Sequence, residues 1–187
     1  ERRMRELPKI EIINENSKVE TEHFRVGFYN TTHSIPDALG VLINTPNGRI
    51  VHTGDFKFDL TPVGANADYQ KMAYIGQIGV TLLMSDSTNS SVSGFSISEK
   101  KVAQALLDIA RKTQGRLIMA TFASNVYRVR QIIEAAVDTG RKVCVFGRSM
   151  ENVVVVGRKH GHIPYGDEHF IEPNMLNTIP ANKVLIL

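Results

Sequence analysis

The chain has 187 residues, of which 42% are hydrophobic, so it can form one domain or parts of two around a core. The net charge of +3 is the difference between 22 basic and 19 acidic residues, which excludes a polybasic arm and permits a nucleic-acid partner without indicating one. The one cysteine, Cys144, excludes an intrachain disulfide and lies in an apolar run that favours a buried structural thiol over a nucleophile. No segment approaches the roughly 18 apolar residues of a membrane helix, and residues 1–6 lack a signal-peptide core, so we expect a soluble protein in the reducing cytoplasm.

The first half of the chain has the pattern of short antiparallel strands. Strands are predicted at 24–29, 39–44 and 49–53, and the turn Thr45-Pro46-Asn47-Gly48 joins the last two as a hairpin. If the first strand runs up, the second returns and the third runs up again, so the loops after the first and third strands leave the sheet at the same edge. Residues 68–78 are predicted to form one helix.

Each of these two loops carries a candidate metal ligand. His33 stands in Thr31-Thr32-His33-Ser34-Ile35-Pro36-Asp37, and Asp55 follows Gly54, a residue that suits a sharp bend at the sheet edge. Imidazole and carboxylate groups bind zinc or manganese, and one carboxylate can bridge two ions that act on a phosphodiester. A histidine after a strand is also often a surface or hydrogen-bonding residue, and Asp55 also fits a turn, so both interpretations stay open at this point.

Two ligands are only half of a metal site. No His-x-His pair precedes His33 in this sequence, and zinc sites normally need at least three protein ligands. We therefore predict a fragment of a larger metalloenzyme that is inactive on its own. The histidines at 160, 162 and 169 lie in a loop context without a second carboxylate array and are assigned no role, and Lys57 is expected to be a solvated surface charge.

From residue 80 the pattern changes to alternating strands and helices. A buried strand is predicted at 80–84, followed by strands at 117–121, 142–146 and 184–187. Between them the pattern predicts a helix that ends near 112, one at 125–139 and one from 149 to about 159. Ser96-Ile97-Ser98-Glu99 has capping-box spacing ahead of the first helix, whose predicted buried face contains Val102, Ala105, Leu106 and Ile109. Ser124 and Gly140 are the expected caps of the second helix, and the alternation predicts a parallel, doubly wound sheet.

Five motifs, in order along residues 24–187, resemble those of bacterial ribonuclease J. They are the His33 motif, Gly54-Asp55-Phe56-Lys57-Phe58-Asp59 with Thr61-Pro62, Ser85-Asp86-Ser87-Thr88-Asn89, Phe122-Ala123-Ser124-Asn125 and Phe146-Gly147-Arg148-Ser149-Met150. The resemblance implies an α/β fold, with residues 1–84 forming the second half of a metallo-β-lactamase αββα segment. Residues 85–187 would then form the N-terminal part of a doubly wound β-CASP domain.

The resemblance also implies a function and roles for single residues. The family suggests a cytoplasmic, metal-dependent 5′ to 3′ exoribonuclease with additional endonuclease activity, which acts on single-stranded RNA in mRNA decay and rRNA maturation. His33 matches the third metal motif of the family, and Asp55 matches the fourth, whose carboxylate bridges two divalent ions, zinc or manganese. Asp86 matches the first β-CASP motif, in the active-site surroundings, although an Asp that opens a loop often caps local amides.

The start of the second predicted helix is a candidate RNA contact. Ser124, Asn125 and Arg128 fall where backbone amides at a helix N-terminus could face RNA phosphate, although a plain N-cap explains Ser124 equally well. The remaining metal ligands of the family, in a His-x-His-x-Asp-His segment and in later His-bearing segments, do not occur in this sequence.

Two other functions stay open. Some bacteria carry paired ribonuclease J paralogues, of which one has little activity and serves as a partner subunit, so the chain could belong to a mainly structural, complex-forming protein, although His33 and Asp55 argue mildly against this. For the enzyme, the resemblance implies a homodimer or a heteromer with a paralogous subunit. A hydrolase of the same fold that acts on DNA or on a small ester is the third possibility, because a fold does not determine a substrate.

Overall fold

The structure is a computed structural model that describes residues 9–187, folded as two α/β units with separate sheets. The prediction that no signal peptide is present concerns residues 1–6 and lies outside the described residues. No helix between residues 9 and 187 is long and apolar enough to span a bilayer.

A five-stranded sheet forms the first unit. Its strands lie side by side in chain order and are β1 (Lys18–Glu20), β2 (Arg25–Asn30), β3 (Leu39–Thr45), β4 (Gly48–His52) and β5 (Leu82–Met84). The pairings from β1 to β4 are antiparallel, and β5 runs parallel to β4. Helix α1 (Tyr69–Gln77) buries Ile75 against Tyr29 and Val51 of the sheet. The predicted hairpin and the predicted helix are therefore confirmed.

The last strand of this sheet corrects one prediction. A buried strand was expected at 80–84, but β5 is short and the side chains of Leu82, Leu83 and Met84 are 49%, 60% and 48% exposed. The reason is that β5 is an edge strand, which pairs with β4 on one side only.

The second unit has a three-stranded parallel sheet. In chain order its elements are α2 (Glu99–Lys112), β6 (Leu117–Ile118), α3 (Val126–Asp138), β7 (Lys142–Cys144), α4 (Arg148–Lys159) and β8 (Val184–Ile186). Three short 3-10 helices, Asp167–His169, Pro173–Met175 and Ala181–Lys183, lie between α4 and β8. β8 lies between β6 and β7, so the prediction of a parallel sheet is confirmed.

Apolar side chains from both layers form the core of this unit. Ile132 and Ile133 of α3 pack with Val143 and Leu185 of the strands, and all four are at most 2% exposed. Cys144 is also fully buried, and this burial raises the pKa of its thiol. A buried, protonated thiol is a poor nucleophile, in agreement with the structural role expected for Cys144.

Helix α2 begins at a different residue from the one predicted, and it buries a different face. Its N-cap is Ser98, whose hydroxyl accepts a hydrogen bond from the amide of Lys100 at 3.2 Å, so a capping box from Ser96 to Glu99 is wrong. Glu99 is the first helical residue, and its carbonyl accepts a hydrogen bond from Gln131 of α3. That contact joins α2 to α3, and the face of α2 that turns to the core buries Ala110 and packs Leu106 and Leu107. Of the predicted face, Val102 is half-buried, whereas Ala105 is exposed and Ile109 is 50% exposed.

The glycine termination of α3 was predicted correctly, whereas its N-cap was not. Asn125, not Ser124, is the N-cap, and its side-chain oxygen accepts a hydrogen bond from the amide of Arg128 at 3.0 Å. Gly140 follows the helix with φ +67°, and the next amide, of Arg141, donates to the carbonyl of Ala136 at 2.9 Å. This is the left-handed glycine termination that the sequence predicts.

Candidate active-site edge

Two loops leave the first sheet at one edge and are joined there. β2 and β4 run in the same direction because β3 lies antiparallel between them, so the loops that follow β2 and β4 start at the same end of the sheet, one strand apart. An antiparallel bridge pairs Thr32 with Lys57: the amide of Lys57 donates to the carbonyl of Thr32 at 2.9 Å, and the hydroxyl of Thr32 donates to the carbonyl of Lys57. Thr32 is 4% exposed, so these contacts are shielded from water.

The bridge brings His33 and Asp55 together. Nε2 of His33 lies 3.8 Å from Oδ2 of Asp55 and 3.2 Å from the hydroxyl oxygen of Ser34. The His33 side chain is 29% exposed and that of Asp55 is 80% exposed, so the pair opens to solvent. The predicted meeting of the two residues at one sheet edge is confirmed.

Gly54 makes the bend that presents Asp55. Its φ of +62° lies in the left-handed region, and a Cβ at this position would be 2.8 Å from the carbonyl oxygen of Leu39. The amide of Gly54 donates to Nδ1 of His52 at 3.0 Å, which holds the bend on the β4 side. Only glycine fits this close approach without a backbone shift.

Asp86 lies on the neighbouring loop, after β5. Its amide donates to the hydroxyl of Thr53 at 2.9 Å, and its Oδ1 accepts hydrogen bonds from the amide and the hydroxyl of Thr88. The two bonds from Thr88, then the amide of Phe56 and the charge of His33, hold the pKa of Asp86 below its usual range. Asp86 therefore caps its own loop, and its amide joins that loop to Thr53, two residues before Asp55.

The residues at the start of α3 have separate environments. Ser124 is exposed, whereas Asn125 is occupied as the N-cap. The guanidinium of Arg128 lies 2.9 Å from Oε2 of Glu99 and donates through Nε to the side-chain oxygen of Gln131 at 3.1 Å. Arg128 is thus held by contacts with α2 and with its own helix.

An ion cluster between the two units was not predicted. Nζ of Lys57 lies 2.6 Å from Oε1 of Glu99 and 3.5 Å from Oδ2 of Asp59, and the Lys57 side chain is 22% exposed. The expectation that Lys57 is a solvated surface charge is therefore wrong, because α2 of the second unit covers it. No local pattern indicates this cluster, since Glu99 is 42 positions away from Lys57 along the chain.

A polar cavity of about 270 Å³ lies beside His33. Residues of both units line it, among them His33 and Lys57 from the first unit and Glu99 and Tyr127 from the second. The cavity is therefore a cleft between the units that opens next to the candidate edge.

The two side chains at this edge are of the chemical kinds that bind a divalent ion, but they are too few to form a complete site. Imidazole nitrogen and carboxylate oxygen are ligands for zinc and manganese, whereas a zinc site normally has at least three protein ligands. Within residues 9–187 no group of three or more His, Cys, Asp or Glu side chains could hold a metal ion. The described residues thus supply two donors and not a complete metal centre.

Comparison with known proteins gives relatives for nearly the whole chain. Residues 114–187 match the family model for the beta-CASP domain of ribonuclease J. Ribonuclease J 1 of Streptococcus pyogenes is 51% identical over 175 residues, which are 94% of this chain and 31% of that protein. Ribonuclease J of Mycoplasma pneumoniae is 40% identical over 181 residues, 97% of this chain and 32% of the relative. Ribonuclease J2 of Bacillus subtilis is 41% identical over 176 residues, 94% of this chain and 32% of the relative.

The chain thus spans about a third of the length of these curated relatives. Among solved structures, a protein of unknown function from Enterococcus faecalis matches with a TM-score of 0.70 and 18% identity, over 97% of this chain and 45% of that one. At this identity the likeness concerns the fold alone.

Proposed function

The chain belongs to the ribonuclease J family, and from this membership we propose that the full-length protein is a metal-dependent ribonuclease with 5′ to 3′ exonuclease and endonuclease activity. Its place would be the cytoplasm, in mRNA decay and rRNA maturation. One observation carries the proposal: His33 and Asp55 meet at 3.8 Å at a solvent-open sheet edge, beside a cleft between two units. Residues 1–84 would belong to the metallo-β-lactamase segment and residues 85–187 to the β-CASP domain.

The residues of this chain would supply part of a metal site and its surroundings. His33 and Asp55 would each give one donor to a pair of divalent ions, zinc or manganese, and further ligands would come from other parts of the full-length protein. Such ions lower the pKa of bound water and neutralise charge on a phosphate. The bend at Gly54 and the bridge between Thr32 and Lys57 hold the two donors in place. With two donors only, the 187 residues alone are expected to be inactive.

Single-stranded RNA would lie in the cleft between the units. Backbone charge and base stacking hold such strands without reading their sequence. Asp86 and the start of α3 would form the surroundings, with the exposed Ser124 and the amides that follow it as the nearest candidates for a phosphate contact. Arg128 is paired with Glu99, so we propose that it acts by holding α3 in place, as Asn125 does by capping it.

A second candidate function is that of a partner subunit. Relatives named ribonuclease J 1 and ribonuclease J2 both match this chain, at 51% and 41% identity. A weakly active paralogue would associate with an active subunit and leave the cleavage to that subunit. The presence of both His33 and Asp55 in this chain favours the enzyme.

The test compares how fast the full-length protein degrades two different substrates. A 5′-monophosphorylated single-stranded RNA and a DNA of the same sequence are incubated with manganese or zinc, before and after chelation. The enzyme proposal predicts decay of RNA from the 5′ end, which stops on chelation and returns with metal. Equal or faster decay of DNA would favour the DNA hydrolase. An inert protein that stimulates an added paralogue would favour the partner subunit.

A further inference from the structure

Lys57 connects the candidate edge to the second unit. Its backbone joins the loops of His33 and Asp55 through the bridge to Thr32, and its ammonium lies 2.6 Å from Glu99, the first residue of α2. Lys57, whose backbone joins the two loops, is therefore also bound to the second unit through the carboxylate of Glu99.

Glu99 is held by contacts on all of its polar groups. Oε1 contacts Lys57, Oε2 lies 2.9 Å from Nη2 of Arg128, and the carbonyl accepts a hydrogen bond from Gln131 at 2.9 Å. Its amide donates to Oδ2 of Asp59 at 2.8 Å. Asp59 comes two residues after Lys57 on the loop of Asp55, so Glu99 holds this loop by its side chain and by its backbone.

The side chains of this cluster are shielded from solvent, so their charges contribute more to holding the loop than those of exposed ion pairs would. The side chains of Glu99, Lys57 and Asp59 are 13%, 22% and 2% exposed. Exposed pairs contribute little because water screens them, whereas shielded and fully hydrogen-bonded groups resist rearrangement, since removing one partner leaves another charge unpaired. The first turn of a helix also favours a carboxylate.

We propose that Glu99 is a positioning residue, which through Lys57 and Asp59 holds the loop of Asp55 in register with the loop of His33. The consequence for catalysis rests on the function proposed above, whereas the mechanical coupling does not. Glu99 lies on α2, outside the metal motifs, and would act only through the loop that it holds. The second unit would then control the geometry of the edge as well as forming one wall of the cleft.

The test is hydrogen exchange by mass spectrometry on the full-length protein with Glu99→Gln. Glutamine keeps the size of the side chain and removes its charge. The matched control is Glu151→Gln, which changes an exposed carboxylate in the first turn of α4. We expect exchange at peptides covering 31–34 and 54–59 to speed up by about tenfold in Glu99→Gln, with the β2 and β3 peptides unchanged and the control like wild type.

Three results would overturn the proposal. They are unchanged exchange at both loops, a uniform increase over the whole first sheet, which would mark a general loss of stability, and an equal effect in the control. Because these readings require no cleavage, they decide the coupling even if the protein does not degrade RNA.

A kinetic comparison then tests the catalytic consequence. If the protein is an active ribonuclease, Glu99→Gln should lower kcat by about tenfold with KM within about twofold, because the reacting edge and not RNA binding is disturbed. A rise in KM alone would instead make Glu99 part of the RNA-binding surface and contradict the positioning role.

Discussion

At the residue scale, the backbone sets the 3.8 Å separation of His33 and Asp55. The pair is exposed on the Asp55 side, and exposed ion pairs contribute little to stability. The bend at Gly54 and the two hydrogen bonds between Thr32 and Lys57 bring the side chains together instead. The local backbone therefore forms this edge, and substitutions in these backbone supports should disturb it more than changes at neighbouring surface residues.

The bend at Gly54 gives the first prediction at this scale. Gly54→Ala places a methyl group 2.8 Å from the carbonyl oxygen of Leu39 at a φ of +62°. We expect the free energy of unfolding to fall by about 1 to 3 kcal/mol, because both the conformation and the contact are unfavourable for alanine. Urea unfolding of the protein measures the change.

The matched control is Gly76→Ala, in α1. A Cβ there meets no atom within 4 Å, and alanine favours a helix by about 1 kcal/mol over glycine. This variant should be as stable as wild type or more so. Equal losses in the two variants would contradict the role given to the bend.

At the element scale, the sequence predicted which segments form helices but not the residues at which those helices begin. Apolar periodicity identified all three helices of the second unit, but Ser98 and Asn125 cap α2 and α3 where Ser96 and Ser124 were expected. Neighbouring Ser and Asn residues are all competent caps. Tertiary contacts distinguish among them: the amide of Glu99 donates to Oδ2 of Asp59 and its carbonyl accepts from Gln131, so the first residue of α2 has partners outside its own helix.

The two candidate caps of α3 can be separated by experiment. Asn125→Ala removes the hydrogen bond to the amide of Arg128 and should cost about 1 kcal/mol of stability, whereas Ser124→Ala should change stability by less than about 0.5 kcal/mol. Thermal unfolding measures both. A larger loss in Ser124→Ala would contradict the observed cap. RNA affinity lost in Ser124→Ala at unchanged stability would support a phosphate contact.

The ion cluster between the units predicts a pH dependence. Burial opposes ionisation of Asp59, but hydrogen bonds from the amides of Glu99 and Thr61 and from Ser98, with the charge of Lys57, hold its pKa below the usual value. Burial likewise opposes ionisation of Glu99, and hydrogen bonds and charges of Lys57 and Arg128 outweigh it, so the pKa of Glu99 is also lowered.

Lowered pKa values stabilise the folded state above the pKa values of the unfolded chain, 3.8 for Asp59 and 4.5 for Glu99. This stability is lost as the pH falls through the still lower pKa values of the folded state. In Glu99→Gln the loss of stability from pH 6 down to about pH 3 should be shallower than in wild type, as measured by urea unfolding at each pH. An unchanged slope would show that the carboxylate of Glu99 does not titrate with folding.

At the scale of the whole molecule, the alternation of strands and helices from residue 80 predicted the α/β fold, whereas the contact between the two units was not predicted. Lys57 is 42 positions from Glu99, and Glu99 is 29 positions from Arg128. Each lies in a local context typical of an exposed charge, so only the packing of α2 against the first unit shows that they meet. His33 and Asp55 were predictable as neighbours because the direction of β-strands alone brings their loops to one edge.

The most direct test of the sheet-edge assignment is the rate at which the full-length protein degrades 5′-monophosphorylated single-stranded RNA with manganese or zinc, as wild type, Asp55→Asn and Asp167→Asn. Asp167 is the matched control, because it takes the same substitution, its side chain is 94% exposed and it does not line the cavity beside His33. We predict a loss of about 100-fold or more in Asp55→Asn and a rate within about twofold of wild type in Asp167→Asn. Full activity in Asp55→Asn, or equal losses in both variants, would contradict the assignment of this sheet edge as part of the active site.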